Sequence, residues 1–210
     1  VNAASNGCSE MATALVTGIV TMMFNWTMLT CVGEDGVAAV TIIMYVLMFA
    51  SSLYTGYSYG VAPMLSFYHG EQNREKLKKL VALSRKVIGV VSVITVAVSL
   101  GLTEPLVSVF ARPEDPVYAL AVTGNRICTI ALLFIGFNIF SSGMFTALSN
   151  GVVSAVLAFS RSFVLMLAAM IVLPLLLGVN GIWLATPAAE LMALLLSAGV
   201  YWKYRKRYGY

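Results

Sequence analysis

The chain has 210 residues and a net charge of +4, and 60% of its residues are hydrophobic while only 10% are charged. Soluble domains carry roughly 25% charged residues, so this composition indicates a protein embedded in the lipid bilayer. The basic residues flank apolar runs instead of covering one soluble face, which argues against a nucleic-acid partner. Because the chain begins at Val1 without a basic segment and a short apolar core, we expect no cleavable signal peptide and a natural N-terminus further upstream.

Six segments are long and apolar enough to cross a bilayer, since a span needs about 20 mostly apolar residues to cover roughly 30 Å of hydrocarbon. Backbone groups in lipid must be hydrogen-bonded within the chain, which favours helices. The sequence therefore predicts an all-α integral membrane protein with a single six-helix transmembrane lobe over residues 1–210. The predicted spans are 10–32, 37–59, 80–102, 117–145, 152–177 and 181–202.

Lysine and arginine residues between the spans and near their ends are concentrated on one side of this arrangement. Because cytoplasmic connections carry an excess of Lys and Arg, we expect both chain ends to be cytoplasmic. The other side has only Arg112 outside the spans. The basic side holds Arg74, Lys76, Lys78, Lys79, Arg85, Lys86, Lys203, Arg205, Lys206 and Arg207.

Three charged residues fall near the middle of predicted spans: Arg126, Arg161 and Glu190. Charges at such depth are costly, face the interior of a bundle and have partners, so either arginine is a candidate counter-charge for Glu190. Pro187 precedes Glu190 and is expected to bend that helix, and a kinked helix with an acid near the midplane is typical of a transport pathway. The alternative is an ion pair that only fixes helix register.

Three further polar residues are candidates for a functional role. Glu10 lies at the inner margin of the first span, or inside the membrane if the helix begins earlier, and is a second candidate coupling acid. Asn25 and Asn138 lie within spans and need hydrogen-bond partners there, so we consider both to be candidate residues of a substrate cleft.

The second span carries a polar and aromatic stripe. Tyr45, Ser52 and Tyr59 recur at helical spacing and therefore share one face, where the tyrosines are suited to flat or cationic molecules through cation–π attraction. Helix packing and interfacial anchoring are the alternative roles. In the same span, Gly56 and Gly60 form a GxxxG pair, which predicts the close approach of another helix.

Several catalytic classes are excluded by composition. His69 is the only histidine and lies in the predicted inner loop, so a zinc site of the HExxH type is impossible and no histidine within the membrane can serve a serine as its base. No GxxxxGK[ST] phosphate-binding loop is present. We expect no enzyme activity, no bound metal and no cofactor.

Four ordered landmarks carry a family resemblance. The chain has GVAP at 60–63 followed by SFYHGEQN at 66–73 and a basic patch at 76–79, NGCSE at 6–10, GMFTALSNG at 143–151, and GIWLATPAAE at 181–190. Their order and spacing resemble the C-terminal six helices of the multidrug and toxic compound extrusion (MATE) family, and the resemblance covers essentially the whole chain.

This resemblance implies a secondary antiporter of a prokaryotic plasma membrane that exports small organic, often cationic, drugs or metabolites in exchange for H⁺ or Na⁺. It implies a twelve-helix fold of two lobes that rock between inward-open and outward-open states, with the N-terminal six-helix lobe missing from this chain. The family often has an acid in the first helix of this lobe, which Glu10 matches, and another in the fourth helix, where this chain has Arg126 instead. That difference argues against a Na⁺ site within this lobe and leaves a coupling carboxylate in the other lobe as a candidate.

Two other functions remain open from the sequence. A lipid-linked oligosaccharide flippase of the same superfamily would use a strongly cationic cleft for pyrophosphate, for which Arg126 and Arg161 are candidates. A non-transporting membrane scaffold subunit would explain six spans without a second lobe.

Overall fold

A computed structural model describes the backbone of residues 2–208 and the side chains of residues 16–205 and of Tyr208. The described chain is helical throughout. A 3₁₀ turn, Thr129–Ala131, joins α5 to α6, and a π-helical segment, Ser160–Leu165, joins α7 to α8, so each pair forms one span. The helices are α1 (Asn2–Cys31), α2 (Glu34–Gly70), α3 (Arg74–Gly101), α4 (Thr103–Ser108), α5 (Pro116–Cys128), α6 (Leu132–Ala147), α7 (Gly151–Phe159), α8 (Met166–Leu177) and α9 (Val179–Tyr208).

Five of the described helical stretches are long and apolar enough to cross a membrane, and they overlap the second to sixth predicted spans. Val16–Cys31, within α1, is a shorter apolar helix. Large apolar side chains are exposed along these stretches, as expected for surfaces that face lipid. The five stretches are Glu34–Gly70, Arg74–Gly101, Pro116–Ala147, Gly151–Leu177 and Val179–Arg205.

The helices extend beyond several predicted span edges. The connection expected at 67–79 shrinks to residues 71–73, because α2 continues to Gly70 and α3 already begins at Arg74. The Asn73 side chain caps α3 by accepting a hydrogen bond of 3.1 Å from the Lys76 backbone N–H. Charged residues end the part of a helix that crosses the hydrocarbon but not the helix itself. The helices therefore extend beyond span edges that were placed by apolarity.

The two ends of the bundle differ in charge. We call the end where α2 meets α3 and α9 finishes the basic end, and the end where α1 meets α2 the opposite end. Consecutive spans run antiparallel between them. At the basic end, the guanidinium carbon of Arg85 lies 5.1 Å from the centre of the Tyr201 ring.

The interior is built around α2, α6 and α9. In the most apolar 18 residues of Pro116–Ala147 and of Val179–Arg205, 50% and 56% of the residues are buried inside the protein. The corresponding share for Gly151–Leu177 is only 17%. The largest fully buried side chains include Trp183 of α9 and Phe145 of α6. The central position of α6 and α9 decides which polar residues are withdrawn from lipid.

Within the described residues, no helix closely approaches Gly56 or Gly60, contrary to the prediction. A Cβ atom added at either position would meet no described atom within 4 Å. Close packing occurs at the fourth span instead, where a Cβ at Gly136 would lie 2.6 Å from Tyr54 Cδ1 and a Cβ at Gly124 would lie 2.6 Å from Ile43 Cδ1. Glycine at these two positions lets the fourth span pack directly against α2.

We predict that Gly136→Ala lowers the free energy of unfolding by about 1–3 kcal/mol, because the added methyl group overlaps Tyr54 in a packed core. Tyr54 has little room to move, since it is buried and its hydroxyl donates a 3.2 Å hydrogen bond to the Leu132 carbonyl. Gly56→Ala is the matched control and is expected to be neutral or to stabilise by roughly 0.5–1 kcal/mol, as alanine does in helices. Thermal unfolding of the purified protein in detergent measures both, and equal midpoints would contradict this packing.

Candidate functional site: a buried carboxylate cluster

A single carboxylate occupies the interior among the described side chains. Glu190 lies about 16 Å along α9, counted at 1.5 Å per residue, and is only 7% exposed. An ionised carboxylate in such surroundings needs partners, because desolvation strongly disfavours the charge. The neighbouring helices supply two.

Asn138 of α6 is the first partner. Its side-chain Nδ2 donates one hydrogen bond of 2.7 Å to Glu190 Oε2 and another of 2.9 Å to the Glu190 backbone carbonyl. Asn138 is 3% exposed, and these bonds give it the hydrogen-bond partner that its place within a span was expected to require. Its partner is the buried acid, because α6 and α9 pack directly against each other.

Arg161 is the second partner. Its Nη1 atom lies 3.8 Å from Glu190 Oε1, and the two side chains are 24% and 9% exposed. This separation is too long for a hydrogen bond, and Nη1 is buried without a hydrogen-bond partner among the side chains that the structure describes. The arginine belongs to the π-helical segment Ser160–Leu165, a rare helix form that often occurs at functional sites. The contact is therefore an electrostatic one across a small gap.

A third polar side chain extends the cluster toward the basic end. Ser197 of α9 donates a 3.3 Å hydrogen bond to Asn138 Oδ1 and is itself 4% exposed. Sequence reasoning did not include Ser197. Its position seven residues after Glu190 places both on one face of the helix, and that spacing is a signal that could have identified it.

The backbone carbonyl that Pro187 leaves without a helical partner is bonded by a side chain of α5. Proline has no N–H, so the Trp183 carbonyl four residues earlier loses its helical partner. Cys128 of α5 fills this role, with its Sγ donating to the Trp183 carbonyl at 3.2 Å. The helix α9 continues through Pro187, and this contact holds α5 against α9 about two turns before Glu190.

Arg126 does not join the cluster. Its Nη2 atom pairs with Glu104 Oε1 of α4 at 3.0 Å, and both side chains are more than half exposed. Of the two predicted partners for Glu190, the structure therefore has Arg161. The expected interior position of Arg126 is corrected for a geometric reason: the adjacent Asn125 faces the core at 1% exposure, so the next residue along the helix points outward. Glu104 was not recognised as a partner from the sequence.

The residues predicted to line a cleft are separated from the carboxylate. Tyr45 and Tyr59 are 53% and 73% exposed on the outer face of α2, and Tyr45 stacks on Phe110 with 6.4 Å between ring centres. Ser52 is also exposed, and its hydroxyl donates to the Met48 carbonyl of its own helix. Asn25 is half-buried beside an open apolar groove at the opposite end. The Glu10 side chain lies outside the described residues.

The two carboxylate oxygens of Glu190 differ in their hydrogen-bond partners. Oε2 of Glu190 accepts from an amide N–H, whereas Oε1 has no hydrogen-bond donor within bonding distance among the described groups. A proton bound at Oε1 would neutralise the carboxylate and cancel its attraction for Arg161. In the described part of the chain, no group of three or more His, Cys, Asp or Glu residues is arranged to hold a metal ion.

Solved structures of several transporters share this fold. A multidrug resistance MATE family transporter of the MOP superfamily, in an outward-facing conformation, matches with a TM-score of 0.83 and 21% identity over 93% of this chain and 43% of its own. An inward-facing conformation of such a transporter also has a TM-score of 0.83 and 21% identity, over 93% and 44% of the two chains. A MOP superfamily transporter from Pyrococcus furiosus has a TM-score of 0.83 at 20% identity, over 93% and 43%.

The fold is thus that of one lobe of an all-helical membrane transporter, and the predicted fold class is confirmed. The sequence pattern of the MatE family matches residues 10–172, and the chain belongs to this family of transporters, which are not enzymes. It spans less than half the length of the solved relatives. No curated protein sequence matches the chain.

We predict that Asn138→Ala lowers the free energy of unfolding by about 1–3 kcal/mol, because it leaves a buried carboxylate without its amide donor. Asn25→Ala removes the same amide from a half-buried surface position and is expected to change stability by less than about 0.5 kcal/mol. Denaturation of the two variants in one detergent gives the comparison. An Asn138→Ala protein as stable as Asn25→Ala would show that the amide does not support Glu190.

Proposed function

We propose that the chain is one lobe of an antiporter that exports small organic, often cationic, compounds in exchange for H⁺. The second lobe is supplied by the rest of the transporter, and the two lobes rock between inward-open and outward-open states. We place both ends of this lobe on the cytoplasmic side of a prokaryotic plasma membrane, because the described Lys and Arg residues outside the spans are concentrated at the basic end.

The observation that carries the proposal is the buried Glu190 with its loosely held counter-charge. Intramembrane carboxylates that face a bundle interior are characteristic of proton relays in transporters. At a separation close to 4 Å, two opposite charges attract by about 4 kcal/mol at an effective dielectric constant of 20. Protonation of Glu190 removes this attraction from Arg161, and a change of that size is enough to shift a two-state equilibrium between lobe arrangements.

The coupling ion is assigned from the atoms that surround the carboxylate. Two nitrogen groups lie next to Glu190. The Asn138 amide donates a hydrogen bond to it, and the Arg161 guanidinium carries a positive charge. Hard cations such as Na⁺ require several oxygen ligands, and a guanidinium beside the site repels them. A proton needs only one carboxylate oxygen, so H⁺ is favoured over Na⁺.

The other two functions have less support. A flippase site for pyrophosphate would need unpaired cations, whereas Arg126 and Arg161 each face a carboxylate. The role of a scaffold subunit does not require a buried acid, and membership of a transporter family also argues against a scaffold.

We predict that Glu190→Gln lowers the initial rate of efflux driven by a pH gradient by at least about tenfold, since the amide cannot exchange a proton. The measurement uses the full-length transporter in liposomes loaded with a fluorescent organic cation. Glu104→Gln is the matched control: it removes the carboxylate of an exposed ion pair and is expected to change the rate by less than about twofold.

The same liposomes distinguish the coupling ions. An imposed pH gradient is expected to drive efflux, and an inward Na⁺ gradient at constant pH is not. Full activity of the Glu190→Gln protein would remove Glu190 from the mechanism, and efflux driven by Na⁺ alone would overturn the assignment of H⁺.

A further inference from the structure

A cavity of about 260 Å³ opens between α3, α6 and α9 toward the basic end. Arg85 and Tyr201 line it with their cation–π contact, and Ser141 and Ser197 contribute hydroxyl groups. The volume accommodates several water molecules, each of which occupies about 30 Å³ in the liquid, and these side chains offer water both donors and acceptors. Phe140 and Trp202 form part of the apolar wall.

This cavity reaches the carboxylate cluster through Ser197. The Ser197 hydroxyl uses its hydrogen to bond Asn138 Oδ1, so its oxygen lone pairs remain as acceptors for water in the cavity. Asn138 in turn donates to Glu190 Oε2 at 2.7 Å. Two consecutive hydrogen bonds therefore separate a cavity-lining hydroxyl from the buried acid.

On the other side of Glu190, toward the opposite end, α9 is tightly packed. Ile182 and Ala185 are completely buried, and Trp183 is 2% exposed. Thr186 lies one helical turn before Glu190, is 6% exposed, and has a buried hydroxyl with no hydrogen-bond partner in the described structure.

We propose that the cavity lined by Arg85, Ser141, Ser197 and Tyr201 is the aqueous route by which Glu190 exchanges protons with the basic end, and that the packed segment around Trp183 closes the route to the opposite end. The Asn138 amide cannot pass a proton on, so water that enters from this cavity carries the proton to or from the carboxylate in the last step. Among the described side chains, the charged group that faces Glu190 is Arg161 of the π-helical segment, and α6 presents the neutral Asn138. This inference rests on the proposed role of Glu190 in coupling. It adds the direction of access in this conformation.

Cysteine accessibility in the full-length transporter tests the route without measuring transport. Cys128 is replaced by serine, which keeps a donor for the Trp183 carbonyl, and the other natural cysteines by alanine. Ser197→Cys is then treated with a hydrophilic methanethiosulfonate reagent. Thr186→Cys is the matched control, because it replaces a hydroxyl residue on the same helix at the other side of Glu190. We expect Ser197→Cys to react at least about tenfold faster than Thr186→Cys, since the latter requires local opening of packed structure.

Two markers define the side of access. Gln72→Cys reports the basic end and Glu114→Cys reports the connection between α4 and α5 at the opposite end, and both residues are exposed. Ser197→Cys is expected to react from the side that labels Gln72→Cys. Ser141→Cys, a second residue of the cavity, should behave in the same way and keeps the test valid if Ser197→Cys fails to fold.

The positive charge of Arg85, which lines the cavity, provides an independent readout. The positive charge of Arg85 should make Ser197→Cys react faster with an anionic than with a cationic methanethiosulfonate reagent. Arg85→Gln is expected to reduce this ratio of rates several-fold. Lys86→Gln changes the neighbouring basic residue, which is exposed and absent from the cavity lining, and should leave the preference nearly unchanged.

The route is overturned if both cavity cysteines react no faster than Thr186→Cys, or if they react only from the side that labels Glu114→Cys. Labelling as expected together with unchanged transport by Glu190→Gln would leave the cavity in place and refute the proposed function instead. The two failures are therefore distinguishable.

Discussion

The burial of Glu190 is the constraint on which the rest of the interior depends. A carboxylate that has lost its water must find hydrogen bonds and a counter-charge within the protein, or remain neutral. Asn138 supplies the amide and Arg161 the positive charge, so α6, α9 and the π-helical segment must meet at one level of the bundle. The packing of these elements follows from that requirement, because displacement of any one of them would leave a polar group unsatisfied in an apolar interior.

The close contact between α2 and the fourth span supports this arrangement from the other side. Gly124 and Gly136 let that span approach Ile43 and Tyr54, and this brings the face of α6 that carries Asn138 into the interior. Cys128 then satisfies the Trp183 carbonyl that Pro187 leaves without a partner. The tightly packed half of α9 around Trp183 and the half that borders a cavity at Ser197 therefore meet at the carboxylate.

Much of the fold could be predicted from the sequence, because the length and apolarity of membrane spans leave few alternatives. Family membership was also accessible through its ordered landmarks. The interior was harder to predict. Depth along a helix indicated that Arg126, Arg161 and Glu190 needed partners, but depth does not specify direction, and Arg126 points outward to Glu104. The π-helical segment that carries Arg161 has no evident sequence signal, and the glycines that pack closely lie in a different span from the GxxxG pair.

The central claim is that Arg161 and Glu190 form one interdependent buried pair, and a double-mutant cycle tests it most directly. The free energies of unfolding of Arg161→Gln, Glu190→Gln and the double variant are compared with that of the unchanged protein. We expect each single variant to be destabilised and the double variant to recover part of the loss, with a coupling energy of about 1–3 kcal/mol, because removing one partner leaves the other buried alone. Effects that add to within about 0.5 kcal/mol would show two independent residues and contradict the account.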